Sequence, residues 1–362
     1  MPKYWLISDR DRGPGGIGTG IGINNDGLTY WISDTTPLNN IANWQKVPSK
    51  NSFQKLLAAA ADEFEELPPE KQEEQKHVTI LIHGFNVSFE HSTSFYEHIC
   101  SQLFDGTESL GLCVLYDWPS WGNVLGYYPD REQARQCAPD LTGILSDLYD
   151  WLLKKQQDAV DAVYKKYEDP EKQPKEQPCK AKLSVIVHSM GNYVLQKAMA
   201  RAWTRKNQPL LASLINQLVM VAADVDNNLF DAGAPDNDDG AAIANLTYRI
   251  TSLYSGRDAA LGVSAGLKHF GARRLGRSGL AHYPPLVAVQ PETDNVWDVD
   301  CSSFFPDQGF SIPGIGSVEI HGAYFDDKYG TWDLMRQILR GIDRDVLKST
   351  GVTTGNNWPP SP

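Results

Sequence analysis

No stretch of this chain approaches the roughly 20 apolar residues that a membrane-spanning helix needs. Even the run Leu183 to Val187 is soon interrupted by His188 and Ser189. The segment Met1 to Ile7 offers a short apolar strand, not a basic stretch followed by a signal-length apolar run, so neither a secretion signal nor an integral membrane segment is expected. Cysteine is scarce. The five (Cys100, Cys113, Cys137, Cys179 and Cys301) are odd in number and lack C-x-x-C spacing, which argues against a disulfide framework and a zinc site. Free thiols in a reducing, cytoplasmic setting are the expectation. Positive charge is in deficit: 33 Lys and Arg face 45 Asp and Glu, a formal net charge of -12. A nucleic-acid partner is therefore not expected, because affinity for its backbone rests on phosphate neutralisation by Lys and Arg. The glycine-rich stretch Gly13 to Gly22 has no following Gly-Lys-Ser/Thr and so reads as a flexible turn, not a phosphate loop. Asp236-Asn237-Asp238-Asp239-Gly240 lacks the alternating spacing of a calcium loop and reads as a solvated turn. No metal or organic cofactor is implied.

What is present suffices for a large buried core: 362 residues, 41% of them hydrophobic. Tyr4-Trp5-Leu6-Ile7 and Leu28 to Ile32 read as paired strands, so residues 1–45 are expected to form an amino-terminal β-hairpin. Ser52 to Leu67 carries apolar residues at helical spacing and stops at Pro68-Pro69. From His77 onward buried strands alternate with helices, the mark of a mostly parallel sheet covered on both faces. The expected strands are Val78 to Ile82, Leu112 to Tyr116, Leu183 to Val187, Leu218 to Ala222 and Tyr248 to Leu253. The expected helices are Glu90 to Phe104, Asp130 to Lys155 and Asn192 to Thr204. The charged, proline-containing stretch 165–182 reads as a surface excursion, because strand-forming sequence resumes directly after it. One domain spanning 1–362 is expected.

The most informative segment is Leu183 to Asn192, a buried strand that runs into a helix with Ser189 at the turn. This is the pattern of a nucleophile elbow, in which a tight strand-to-helix turn lifts the serine hydroxyl above the sheet of an α/β-hydrolase. Gly191 supplies the second small residue of G-x-S-x-G, whereas Val187 stands where the first glycine is usual. A second strand ends in His83-Gly84-Phe85-Asn86, where this architecture places one oxyanion-hole amide. The donors are assigned to the backbone N–H groups of Phe85 and Met190. The His83 imidazole is expected to pack at the strand end, with a place in a substrate pocket as the alternative.

Such enzymes order nucleophile, acid and histidine along the chain. Downstream of Ser189 stand His269, His282 and His321. His321, shortly before a terminal helix with the apolar stripe Trp332, Met335, Ile338, Leu339 and Ile342, is the expected general base, with His282 next. The acid should fix the histidine tautomer and stabilise the imidazolium. Two strands run into carboxylates; Asp258 is preferred and Asp224 is the alternative.

Together these segments resemble a family of largely uncharacterised bacterial α/β-hydrolases, over nearly all of the chain from about His77 to Phe325. The resemblance rests on ordered motifs: His83-Gly84-Phe85-Asn86 with Ser88-Phe89; Trp118-Pro119-Ser120-Trp121-Gly122 with Gly126-Tyr127 and Asp130; and His188-Ser189-Met190-Gly191-Asn192. Next come Ala223-Asp224-Val225-Asp226, Asp258-Ala259-Ala260-Leu261 with Ser264 and Arg274-Leu275-Gly276, and finally His321 with Tyr324-Phe325. The family commonly lacks the first elbow glycine. The resemblance implies a Ser-Asp-His hydrolase acting on a small ester-like substrate, with the acid at Asp258. Trp118 and Trp121 either line an acyl or alcohol pocket or pack a loop against the core. Acyl transfer on the same residues and a non-catalytic binding module are the rival readings; the retention of serine, acid and histidine in the required order weighs against the second.

Overall fold

The computed structural model describes residues 3–12, 16–65, 67, 71, 74–120, 126–166, 182–203, 213–282, 295–305, 311–312, 316–317, 319–329, 331–343 and 347. Its frame is a nine-stranded sheet in the order β11-β10-β9-β8-β6-β7-β1-β4-β5. The strands are β1 (Tyr4–Ser8), β4 (Thr29–Ser33), β5 (Gln45–Val47), β6 (His77–Ile82), β7 (Gly111–Asp117), β8 (Lys182–His188), β9 (Ile215–Val221), β10 (Thr247–Tyr254) and β11 (Val296–Asp300). Pairing is parallel from β11 across to β1, and antiparallel from β1 to β4 and from β4 to β5. This is the α/β-hydrolase architecture: a mostly parallel sheet with helices on both faces.

The strands alternate between two apolar layers, as the period-2 geometry of a strand requires. Val78, Ile80 and Ile82 enter one layer with Val185 and Val187, beneath α1 (Lys50–Ala61), α3 (Tyr127–Lys166), α4 (Gly191–Ala202) and α5 (Asn237–Leu246). Leu81 and Ile186 enter the other, with Phe89, Tyr96 and Ile99 of α2 (Phe89–Ile99) and Trp332, Met335 and Ile338 of α9 (Thr331–Leu339). β6 connects through α2 to its neighbour β7 on one side, and the chain then returns from β7 through α3, across β6, to β8 on the other side. That makes the carboxyl ends of β6 and β8 a topological switch point, where open α/β sheets bind ligands.

The amino-terminal strands pair as expected, with Trp5 opposite Ile32. β1 is not peripheral, however, because it also pairs in parallel with β7 and so joins the main sheet. The connection is also more than a turn: β2 (Arg10–Arg12) and β3 (Gly18–Ile23) form their own antiparallel pair. Other elements differ in extent. α1 ends at Ala61, and Phe64 then folds back onto the core through a turn closed by its N–H on the Ala61 carbonyl. The Asp-rich stretch is not a solvated turn. Asp236 is the N-cap of α5, and Asp238 and Asp239 lie in its first turn, where carboxylates complement the helix dipole. Asp239 also accepts from Gln196 and Lys197. Of the stretch 165–182, residues 165–166 end α3 and Lys182 opens β8; the remainder lies outside the described residues. No described helix is long and apolar enough to cross a membrane.

Candidate active site

Ser189 follows β8 directly with φ of 52°, a left-handed conformation that a non-glycine residue adopts only when its surroundings enforce it. The enforcement is visible in hydrogen bonds. Its N–H donates to the Val221 carbonyl at 3.0 Å, and its own carbonyl accepts from the backbone N–H groups of Asn192 and Asp224 and from Asn192 Nδ2. Two glycines make room for the turn. A Cβ on Gly84 would lie 2.8 Å from the Ser189 Cβ, and one on Gly191 would lie 2.5 Å from the His83 carbonyl oxygen. Val187, in contrast, pairs in the sheet with Ile82 and Met220 and points into the core, so glycine is not needed there.

His321 sits in the short helix α8 (Ile320–Ala323). Its Nε2 lies 2.7 Å from Ser189 Oγ and its Nδ1 lies 2.7 Å from Asp258 Oδ2. Asp258 is fully buried and caps α6 (Ala259–Val263), with its Oδ1 accepting the Leu261 N–H at 2.9 Å. Burial lowers the affinity of the His321 imidazole for a proton, but the Asp258 carboxylate outweighs it and Asp224 adds to the effect. The net result is a pKa above the ordinary value of 6.5. The neighbouring His188 behaves in the opposite way. Desolvation, reinforced by His321, pushes it down to about 3. It therefore stays neutral and donates from Nε2 to the His321 carbonyl at 2.9 Å, with its ring packed edge-on against Phe325.

The structure separates Asp224 from this line. Its two carboxylate oxygens accept from Tyr127 Oη and Ser264 Oγ, both at 2.8 Å, and Tyr127 also bonds His269. Arg274 approaches Asp224 at 3.9 Å and bonds Asp226. The second histidine candidate, His282, is bonded instead to Asp231 at 2.7 Å.

The loop after β6 is held by a buried polar network. Arg10, fully buried, donates from Nε to Asp117 at 2.8 Å, from Nη2 to the Val87 carbonyl at 2.8 Å and from Nη1 to the Ser120 carbonyl at 3.2 Å. Burial would push the Asp117 carboxyl up; Arg10 and His83 overcome it and hold the group below the usual carboxylate range. Ser120 Oγ accepts from the Val87 N–H and donates to Asp130. His83 is buried, with Nε2 3.1 Å from Asp117, its ring stacked on Trp118 at 5.3 Å and its carbonyl accepting the Trp118 indole N–H. His83 and Trp118 are thus packed beneath the loop with no exposed surface, the packed alternative of the two that the sequence leaves open. Trp121 lies outside the described residues. Phe85 turns its ring onto Tyr127, centroids 5.5 Å apart.

Sequence reasoning missed Arg10, Asp117, His188 and Tyr127. Asp117 had a signal, as a carboxylate closing a buried strand. Arg10 had none, because nothing in the sequence says that β1 lies beside β7.

A nine-stranded sheet of this order, with a strained serine just after β8 bonded to a histidine that is itself bonded to a buried aspartate, defines the α/β-hydrolase class. The family comparison agrees. The model of the family described as "Alpha/beta hydrolase of unknown function (DUF900)" matches residues 59–161 and 169–301, and this chain belongs to that family. The match includes Ser189 and Asp258 and ends before His321. Hydrolysis is the class of chemistry that membership indicates. No curated protein matches. Among solved structures, "Phospholipase PlaB from Legionella pneumophila" matches with 13% identity and a TM-score of 0.35, covering 76% of this chain. The alignment spans 62% of that protein's length.

Proposed function

We propose that this protein is a serine hydrolase that cleaves carboxylic esters through an acyl-enzyme. The observation that carries the reading is the unbroken line from Ser189 Oγ through the His321 imidazole to Asp258, with both contacts at 2.7 Å. In that line His321 takes the hydroxyl proton as Ser189 attacks the acyl carbonyl, and Asp258 stabilises the imidazolium and fixes the tautomer. The developing oxyanion is received by the N–H groups of Phe85 and Met190. Neither has an acceptor among the described residues, and Met190 precedes the N-terminus of α4. His321 then protonates the leaving alcohol, and water, deprotonated in turn by His321, releases the acid.

Replacement of the nucleophile tests this reading. Ser189→Ala should retain the far-UV spectrum and thermal midpoint while hydrolysis of short p-nitrophenyl esters falls by roughly 10⁴-fold or more. Wild-type turnover in a folded Ser189→Ala protein would refute it.

A further inference from the structure

Six large hydrophobic side chains among the described residues are more than a third exposed, and three of them gather around one loop. Tyr128 is 54% exposed, Leu267 73% and Phe270 95%. Tyr128 donates its hydroxyl to the Lys268 carbonyl, and Lys268 Nζ lies 5.2 Å from the Tyr128 ring. Isolated exposed apolar residues need no explanation, but a group of them does. The loop is also closed by its own backbone. The Gly271 N–H bonds the Ala265 carbonyl at 2.8 Å and the Ala272 N–H bonds that of His269 at 3.0 Å, while Phe270 is held outward with φ of 52°.

This knuckle stands on residues that hold Ser189. It continues from α6, which Asp258 caps. Ser264, at its base, bonds Asp224, whose N–H bonds the Ser189 carbonyl. His269 bonds Tyr127, which packs on Phe85.

Its charge runs against that of the chain. From Ser264 to Arg273 the sequence is Ser-Ala-Gly-Leu-Lys-His-Phe-Gly-Ala-Arg, with two cations and no carboxylate in a protein of net charge -12. An apolar tip with a basic collar complements a surface that offers acyl chains beneath anionic headgroups. A second copy docked symmetrically, knuckle against knuckle, would instead bring like charges together.

We propose that the 264–273 knuckle is an interfacial docking surface for anionic lipid. Leu267 and Phe270 enter the acyl layer, and Lys268 and Arg273 meet the headgroup phosphates. On the reading that Ser189 cleaves esters, the substrate class is then the ester-linked lipid of that surface.

Flotation of the full chain with phosphatidylcholine vesicles, with and without phosphatidylglycerol, tests the docking apart from the chemistry. The chain should partition to the anionic vesicles at least about tenfold better than to the neutral ones. Leu267→Ser with Phe270→Ser should lower that binding at least about tenfold, and Lys268→Glu with Arg273→Glu should abolish the preference for anionic lipid. All four substitutions are at the surface, and hydrolysis of a short soluble ester should stay within about twofold. Absent vesicle binding, or binding unaltered by the double serine variant, overturns the proposal even if soluble esters are cleaved. So does a concentration-dependent dimer that the double serine variant dissociates. Phe270-dependent binding with neither release of fatty acid nor cleavage of soluble esters leaves the docking surface standing and removes the ester reading instead; if soluble esters are still cleaved, the assignment of the lipid as substrate falls.

Discussion

Asp258 divides its carboxylate between two tasks: Oδ2 holds His321 Nδ1 at 2.7 Å, while Oδ1 caps α6 through the Leu261 N–H. The cap fixes the carboxylate before the histidine meets it, so little conformational entropy remains to be lost in orienting the ring. Asp224, whose oxygens are both occupied by Tyr127 and Ser264, has no such position on His321.

Asp258→Asn should therefore lower kcat on soluble esters by roughly 10⁴-fold, because the amide stabilises the wrong tautomer and no imidazolium. The asparagine can still accept the Leu261 N–H through its amide oxygen, so the cap of α6 should survive and stability should change little. Asp224→Asn should cost no more than about tenfold in kcat, its main effect being a lower thermal midpoint from the disturbed Tyr127 and Ser264 bonds. Steady-state kinetics on the two purified variants checks the order; a larger loss at Asp224 would contradict the assignment of the acid.

The pH profile follows from the upward shift of His321. Because Asp258 favours the imidazolium, Nε2 becomes free to accept a proton only above the ordinary 6.5, and the acid limb of kcat/KM should have its midpoint above that value. The linked stability runs the other way. A histidine whose folded pKa is raised contributes stability that is fully present below its unfolded pKa and is lost as pH rises through the folded one. Over the interval just above 6.5, activity should thus increase while this contribution to stability declines. A pH series of kcat/KM, paired with thermal midpoints of wild type and His321→Ala, separates the two; an acid limb below 6.5 would show that Asp258 does not control the base.

Arg10 should be as important to the site as residues much nearer to it in sequence. Arg10→Met leaves the Asp117 carboxylate buried without its cation and frees the carbonyls of Val87 and Ser120, at a cost of about 3–5 kcal/mol. Arg10→Lys restores a charge but not the planar fork that reaches three partners, so it should recover part of the stability while kcat remains low and KM changes little. Urea unfolding and steady-state kinetics on both variants check this; a kcat in Arg10→Lys equal to wild type would show that the loop after β6 does not need the fork.

Much of this was legible because the signals are local. The apolar runs at 78–82, 112–116, 183–187 and 218–222 could only be buried strands, and the serine between strand and helix at 189 marked the end of β8. Chain order narrows the partners to a few; His321 is preferred for its place before the terminal helix and Asp258 for its place after a late strand, with His282 and Asp224 as alternatives. What was not legible depends on tertiary pairing. β11 alternates carboxylates with apolar residues as Val-Trp-Asp-Val-Asp and gains its place by lying along β10. Residues 236–240 look like a solvated turn until Lys197 and Gln196 of α4 bind Asp239, and the stretch becomes the start of a helix. The placement of β1 beside β7, which brings Arg10 beneath the loop of Phe85, rests on contacts across more than a hundred residues.

The central claim is that His321 activates the Ser189 hydroxyl, and a fluorophosphonate reports that property without knowledge of the substrate. The purified protein is treated with the probe at neutral pH, digested, and the modified peptide identified by mass spectrometry. The account predicts a single adduct on Ser189, strongly reduced in His321→Ala. A folded protein that leaves Ser189 unmodified, or that labels it equally well without His321, would contradict it.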